Sequence, residues 1–363
     1  MKTQAELKEI AGHFQITENV SAIEPLGNGH INDTYKIVTD KGESKYTLQR
    51  INHHIFTDVD MLQNNILYVT NHIRKKLEKA GETEIERKVL TFVPAKDGKF
   101  YYFDGENYWR VGLLIQNSIT HESLTPKLAY ETGKAFGNFQ KMLSDIPDGK
   151  IGEIIPNFHN IEFRLQQLKD AVAANPANRV EEVKDLLAEI EKRANDMCIQ
   201  ERLYREGKLA KRINHCDTKV NNILFDKDGN VLCVIDLDTV MPGFVLSDIG
   251  DFIRSGVNTG LEDDENLDNI QVNEEIFESY MKGYMETAQD FLTPTEIKML
   301  PYGGRLLTYM QTVRFLTDYI NGDTYYKIHS PKHNLQRTKA QFKFLQELEA
   351  NKEKMDGLMN CYL

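Results

Sequence analysis

His215-Cys216-Asp217-Thr218-Lys219-Val220-Asn221-Asn222, followed fourteen residues on by Asp236 in Val234-Ile235-Asp236-Leu237-Asp238, is the stretch that decides how this chain is read. It sets a carboxylate at 217, a cation at 219 and oxygen donors at 222 and 236. Residues 220–225 and 231–235 are apolar runs separated by Asp226-Lys227-Asp228-Gly229-Asn230, a turn-rich segment, so they read as a β-hairpin. The hairpin carries Asn222 at its start and Asp236 at its end, close in space although distant in sequence. Two oxygen ligands brought together in this way suit magnesium, which takes few protein ligands and completes its shell with phosphate oxygens and water. Asp217, on the loop before the hairpin, is placed to accept a proton from a hydroxyl. Turn chemistry alone also favours Asp and Asn, but five fixed positions around one hairpin make that reading insufficient. A base, a cation and metal ligands are the parts that phosphoryl transfer needs, because its protein chemistry is mostly positioning and charge stabilisation.

Composition bounds the rest. The chain has 363 residues, enough for one or two domains with a large core, and 40% hydrophobic with 27% charged residues is ordinary for a globular protein. Lys and Arg total 44 against 55 Asp and Glu, a formal charge of −11, which argues against nucleic acid or an anionic membrane as partner. Cys198, Cys216, Cys233 and Cys361 lack zinc-ligand or redox spacing and are expected as reduced thiols. The N-terminus has no apolar signal core, and no run approaches the ~18 apolar residues of a membrane helix. A soluble, cytoplasmic protein, monomeric or weakly dimeric, is the expectation.

Along the chain, a short amphipathic helix to about Phe14 precedes a strand-rich region. Residues 22–26, 34–38, 46–51, 88–94, 100–103 and 108–115 read as strands, with one main helix over 60–79. Beyond Ser118 the character changes: residues 127–144, 160–174, 179–206, 273–288, 295–318 and 333–359 are helical by periodicity. The fold class is therefore α+β, a small β-rich lobe over 1–116 followed by a larger, mainly helical lobe over 117–363 that holds the hairpin, with a hinge near 115–120.

Several weaker signals belong to the same picture. Gly27-Asn28-Gly29 joins the first two strands, where glycines let backbone N–H groups approach phosphate oxygens. An ordinary hairpin turn explains the same residues. Asp238 could join the metal shell, while Asp248 and Asp251 are expected to cap a helix or brace the loop through hydrogen bonds. His215 is expected to be structural.

H-x-D-x-K-x-x-N is the catalytic loop of small-molecule kinases, and this chain matches all its fixed positions. With residues 23–32, Trp109-Arg110-Val111, residues 135–140, 215–224, 235–243, 314–319 and 333–338, the chain resembles the phosphotransferase-enzyme family, the aminoglycoside-phosphotransferase-like small-molecule kinases. That resemblance implies the bilobal protein-kinase-like fold, with ATP as co-substrate and Mg2+ as cofactor. Its acceptor would be the anomeric hydroxyl of an N-acetylhexosamine, giving the sugar 1-phosphate and ADP. It assigns Asp217 as base with Lys219 beside it, and Asn222 and Asp236 as magnesium ligands. By the same resemblance Gly27 and Gly29 approach the phosphates, Leu224 floors the adenine, and backbone near Ile115 and Gln116 meets its edge. His30, Asn32, Thr239 and Arg314 would line the sugar pocket. The chain departs from kinases at the third strand, where Gln49 stands in place of the phosphate-holding lysine and Arg50, next along, faces the other way. No Ala-Pro-Glu follows Asp236, which argues against a protein substrate. A kinase for another small metabolite, such as homoserine, choline or an aminoglycoside, stays open, as does an inactive nucleotide-binding module.

Overall fold

Period-two alternation builds the N-terminal sheet. In the computed structural model, which describes residues 2–27 and 32–363, its strands are β1 (Val20–Pro25), β2 (Asp33–Thr39), β3 (Ser44–Ile51), β4 (Phe92–Val93), β5 (Tyr102–Phe103) and β6 (Tyr108–Leu113). They form one antiparallel sheet in the order β1-β2-β3-β6-β4, with β5 also paired to β6. Register lines up Ile23, Ile37, Tyr46 and Leu113 as one cross-strand row, and Tyr35, Leu48, Val111 and Val93 as another. Such rows are the unit of sheet stabilisation. Helix α1 (Gln4–Ala11), closed by a Thr3–Glu6 capping box, buries Leu7, Ile10 and Ala11 in the same core.

Chain contacts divide the molecule into two compact units: Met1–Thr120 with Asp145–Pro156 and Asn222–Met241, and His121–Ser144 with Asn157–Asn221 and Pro242–Leu363. The first also holds α2 (Val59–Lys79) and α3 (Ile85–Lys88). Helix α2 is N-capped by Asp58 and buries Val59, Leu62, Ile66, Val69 and Ile73 at helical spacing. Its Asn65 side chain is spent on backbone: it donates to the carbonyls of Gly152 (2.8 Å) and Val240 (3.2 Å) and accepts from Gly152 N–H (2.9 Å).

The second unit is helical: α4 (Pro126–Leu143), α5 (Ile161–Ala174), α6 (Lys184–Met197), α7 (Ile199–Arg205), then the strand β7 (Arg212–Asn214), and α8 (Val245–Phe252), α9 (Glu274–Ala288), α10 (Pro294–Ile320), α11 (His333–Ala350) and α12 (Lys352–Met359). Helix α10 is buried on almost every face, so it is the centre of this core rather than an amphipathic surface helix. Helices α4 and α9 approach until Gly133 meets the Tyr280 carbonyl and Gly283 the Tyr130 carbonyl, where any Cβ would overlap backbone.

Local periodicity over-extends some elements. The strand expected over 88–94 shrinks to β4 after the turn of α3, the helix over 333–359 breaks at Asn351, and the 179–206 stretch splits at Cys198. Among the described residues, no helix is long and apolar enough to cross a membrane. The four cysteines are free thiols.

Candidate active site

The chain passes from the helical unit to the sheet unit between Asn221 and Asn222. Asp217 and Lys219 belong to the former, Asn222 and Asp236 to the latter. In the helical unit, β7 runs into the 215–219 loop, and α8 supplies what the loop backbone lacks. The Asp248 carboxylate, fully buried, accepts from His215 N–H (3.0 Å) and Cys216 N–H (2.8 Å). It also accepts from the Gln140 amide of α4 (2.7 Å), which donates to Asn214 as well (3.0 Å). One turn on, Asp251 accepts from Thr218 N–H (2.9 Å), and the Thr218 hydroxyl donates to the Asp248 carbonyl (2.5 Å). His215 packs edge-on against Phe136 and Phe139 and takes Asp217 N–H on Nδ1 (3.3 Å). Cys216 is left-handed at φ 64°, a conformation that a non-glycine residue holds only when its surroundings enforce it. Asp248, Asp251 and His215 thus have the bracing roles expected of them. The loop delivers Asp217, half-buried, with Lys219 Nζ 3.1 Å from its carboxylate.

Charges gather behind that pair. Burial opposes the charge on Lys219, but Asp217 and Asp251 outweigh it and hold the ammonium above its ordinary range. Burial likewise opposes ionisation of Asp251, and Arg254 (2.9 Å) with Lys219 outweighs that, keeping the carboxyl below its ordinary value. His159, stacked on Phe158, is pushed by burial from 6.5 to about 3, against the pull of Asp251 and with Arg314, Arg164 and Arg254 adding to the depression. The folded protein therefore keeps this imidazole neutral at pH values where the unfolded chain protonates it. Stability contributed by the neutral form is complete above pH 6.5 and declines as pH falls from 6.5 towards 3. His159→Gln should shrink the stability difference between pH 7 and pH 5 by up to about 2 kcal/mol in urea unfolding. An unchanged difference removes His159 from the acid sensitivity of the fold. Arg314, half-buried on α10, lies 5.6 Å from the ring centres of both Phe158 and Tyr326 and donates to Gln311 (3.2 Å).

In the sheet unit, the hairpin is β8 (Ile223–Phe225) and β9 (Val231–Val234), turned through Asp226, whose carboxylate accepts from Asp228 N–H and Asn230 N–H at 2.8 Å. Residues 220–222 form a 3-10 turn rather than the start of the strand. This turn lets the Asn222 carbonyl accept from Ile235 N–H (2.9 Å), which brings Asn222 beside the residue preceding Asp236. Asp236 is exposed and left-handed at φ 58°, and it opens the 3-10 turn Leu237–Thr239. An amide oxygen and a carboxylate are hard donors of the kind magnesium prefers.

Asp238 does not join them. It is 2% exposed, ion-paired with Arg110 (2.6 Å) and hydrogen-bonded by Asn32 (2.5 Å), so the second acid of the segment is committed inward. Thr239, 7% exposed, follows it in the turn. The Asn32 amide oxygen accepts from Asn52 N–H (2.9 Å). Gln49, at the kinase lysine position, faces Arg110 across β3 and β6 and accepts from its guanidinium (2.8 and 2.5 Å). Arg50 takes the opposite face and pairs with Asp33 (2.7 Å). Arg110 and Gln140 are absent from the sequence-derived set. The signal available was a charged or amide side chain inside an otherwise apolar run.

Of the proposed nucleotide contacts, Gly27 is left-handed at φ 70° with open space where a Cβ would stand. Gly29 and His30 lie outside the described residues. The Ile115 carbonyl accepts from the Ser118 hydroxyl (2.8 Å) and the Gln116 carbonyl from Arg87 (3.3 Å). Leu224 is half-buried on the face of β8 opposite the fully buried Ile223 and Phe225.

Solved structures share this architecture. An aminoglycoside phosphotransferase from Alicyclobacillus acidocaldarius is 12% identical over 96% of both chains with a TM-score of 0.59. A spectinomycin phosphotransferase in complex with ADP and spectinomycin is 14% identical over 97% of this chain and 99% of its own, at 0.58. The ethanolamine kinase of Plasmodium vivax is 15% identical over 88% and 82%, at 0.53. At these identities the likeness shows a kinase-like fold, a β-sheet lobe and a helical lobe. Residues 22–280 match the model of the phosphotransferase enzyme family, and with the greater part of its length so matched the chain belongs to that family and is a phosphotransferase.

Proposed function

We propose that this phosphotransferase moves the γ-phosphoryl group of ATP to the anomeric hydroxyl of an N-acetylhexosamine, as an N-acetylhexosamine 1-kinase. The observation that carries the reading is the Asp217 carboxylate, half-buried beside Lys219 (3.1 Å), on a loop whose backbone N–H groups are held by the two buried acids of α8. A braced loop that offers a carboxylate is what a positioned base requires. Asp217 accepts the anomeric proton as the sugar oxygen bonds to the γ-phosphorus and the bond to the ADP oxygen breaks. An anomeric hydroxyl is more acidic than an ordinary alcohol, so a carboxylate is basic enough for the task. Lys219 lies against the negative charge that develops. Asn222 and Asp236 would hold magnesium, which neutralises phosphate charge when bound.

The remaining assignments follow the family resemblance. Gly27 and Gly29 approach phosphates, Leu224 underlies adenine, and the backbone at Ile115 and Gln116 meets its edge. His30, Asn32, Thr239 and Arg314 contact the sugar. Among the described residues, the Asn32 amide donates to Asp238 alone. Arg314, lying over the rings of Phe158 and Tyr326, offers a cation to a polar ligand.

Phosphorus NMR after incubation with ATP and magnesium tests this directly. N-acetylglucosamine or N-acetylgalactosamine should give a sugar 1-phosphate resonance together with ADP. Transfer only to an aminoglycoside, ethanolamine, choline or homoserine in the same panel would replace the sugar with that acceptor. Arg314→Ala should raise the sugar KM about tenfold or more, consistent with loss of a charge-assisted hydrogen bond, while kcat changes little. An unchanged KM for both amino sugars removes Arg314 from the pocket.

A further inference from the structure

The metal-bearing turn of the sheet unit is pinned from three directions. Asp236 sits in the left-handed region, which aspartate adopts more readily than most non-glycine residues. From α2, Asn65 holds the Val240 carbonyl, just past the turn (3.2 Å). From the end of the glycine loop, Asn32 donates to one Asp238 oxygen (2.5 Å) while its own oxygen is held by Asn52 N–H. From β6, Arg110 meets the other Asp238 oxygen (2.6 Å). Arg110 has no slack in this arrangement. Its Nε and Nη2 both donate to Gln49 Oε1, and Gln49 Nε2 in turn donates to Thr34 (3.0 Å). A planar guanidinium held at two points presents its third nitrogen in one direction only.

We propose that Arg110 is the positioning cation of the metal site: through its forked contacts to Gln49 and Asp238 it fixes the backbone that carries Asp236, and so sets the affinity for the metal–nucleotide. The small lobe thus keeps a buried cation, but it comes from β6 instead of β3 and acts on a protein carboxylate rather than on a phosphate. Gln49 is then a partner shaped to that cation, which is why a lysine is not needed at its position. Two acids two residues apart divide the work, Asp236 outward to the ligand and Asp238 inward to Arg110. This inference rests on the phosphoryl-transfer reading of the site.

The test is isothermal titration of the full-length protein with Mg2+ and a non-hydrolysable ATP analogue, alongside the Mg2+ dependence of turnover. Arg110→Lys keeps a charge but cannot span Gln49 and Asp238 together. It should weaken binding of the metal–nucleotide about tenfold and raise half-saturating Mg2+ by a similar factor. Asp238→Asn, a near-isosteric change reached from the other side of the pair, should do the same. Thermal melting reports the fold of each variant. Variants that melt lower yet bind the metal–nucleotide like wild type would show a merely structural pair and overturn the proposal, as would unchanged binding in stable variants. Wild-type protein that binds no magnesium–nucleotide would overturn the phosphoryl-transfer reading itself and this inference with it.

Discussion

Asp217→Asn should fold like the wild type and lose turnover by roughly 100- to 10,000-fold, the range a positioned general base contributes. The fold survives because the loop is held by its backbone. Asp217 N–H goes to His215 Nδ1, its neighbours' N–H groups go to Asp248 and Asp251, and none of these bonds uses the Asp217 side chain. What the substitution removes is the proton acceptor and the partner of Lys219, and a half-exposed ion pair of that kind is worth less than ~1 kcal/mol. Circular dichroism should overlay on wild type while a coupled ADP-release assay falls to near background. A folded variant with near-normal turnover would end the assignment of Asp217 as base.

Asp248→Ala should have the converse signature, a large loss of stability. The carboxylate is fully buried and receives His215 N–H, Cys216 N–H and the Gln140 amide. Gln140 is itself fixed by Asn214 and by the Tyr284 hydroxyl (2.5 Å), so the donors cannot turn elsewhere. Each buried donor left without an acceptor costs ~1–3 kcal/mol, and the terms are coupled rather than additive. A net loss on the order of 3–5 kcal/mol is expected, comparable to breaking a buried charged pair from one side. Urea unfolding followed by circular dichroism measures it. A loss below ~1 kcal/mol would mean that the loop finds other acceptors and that α8 does not hold it.

How much of this could be read beforehand depends on the range of the interaction. The loop at 215–222 and Asp236 stood out as candidates because their spacing is local and chemically restrictive. The strand-rich first third and helical remainder were legible because hydrophobic period follows which face is buried. The hairpin was found too, though Val220-Asn221-Asn222 proved to be a 3-10 turn, since apolar character does not report the bond from Ile235 to the Asn222 carbonyl. Asp238 was read as a possible ligand because nothing nearby in sequence shows Arg110 waiting on β6. The same holds for Gln140, which lies on a regular amphipathic helix and reveals its part only when α8 is brought against it. Pairings between distant elements leave one trace in a sequence, a polar residue where an apolar one is expected.

The acids that shape the Asp217 loop lie on α8, about thirty residues further along the chain, and α8 is seated by the largely buried α10 beyond it. A growing polypeptide therefore lacks the braces of this loop until α8 has been made and the packing beneath α8 until α10 follows, and loosening that bundle frees the loop. The order of this loop and the integrity of the bundle are gained, and lost, together.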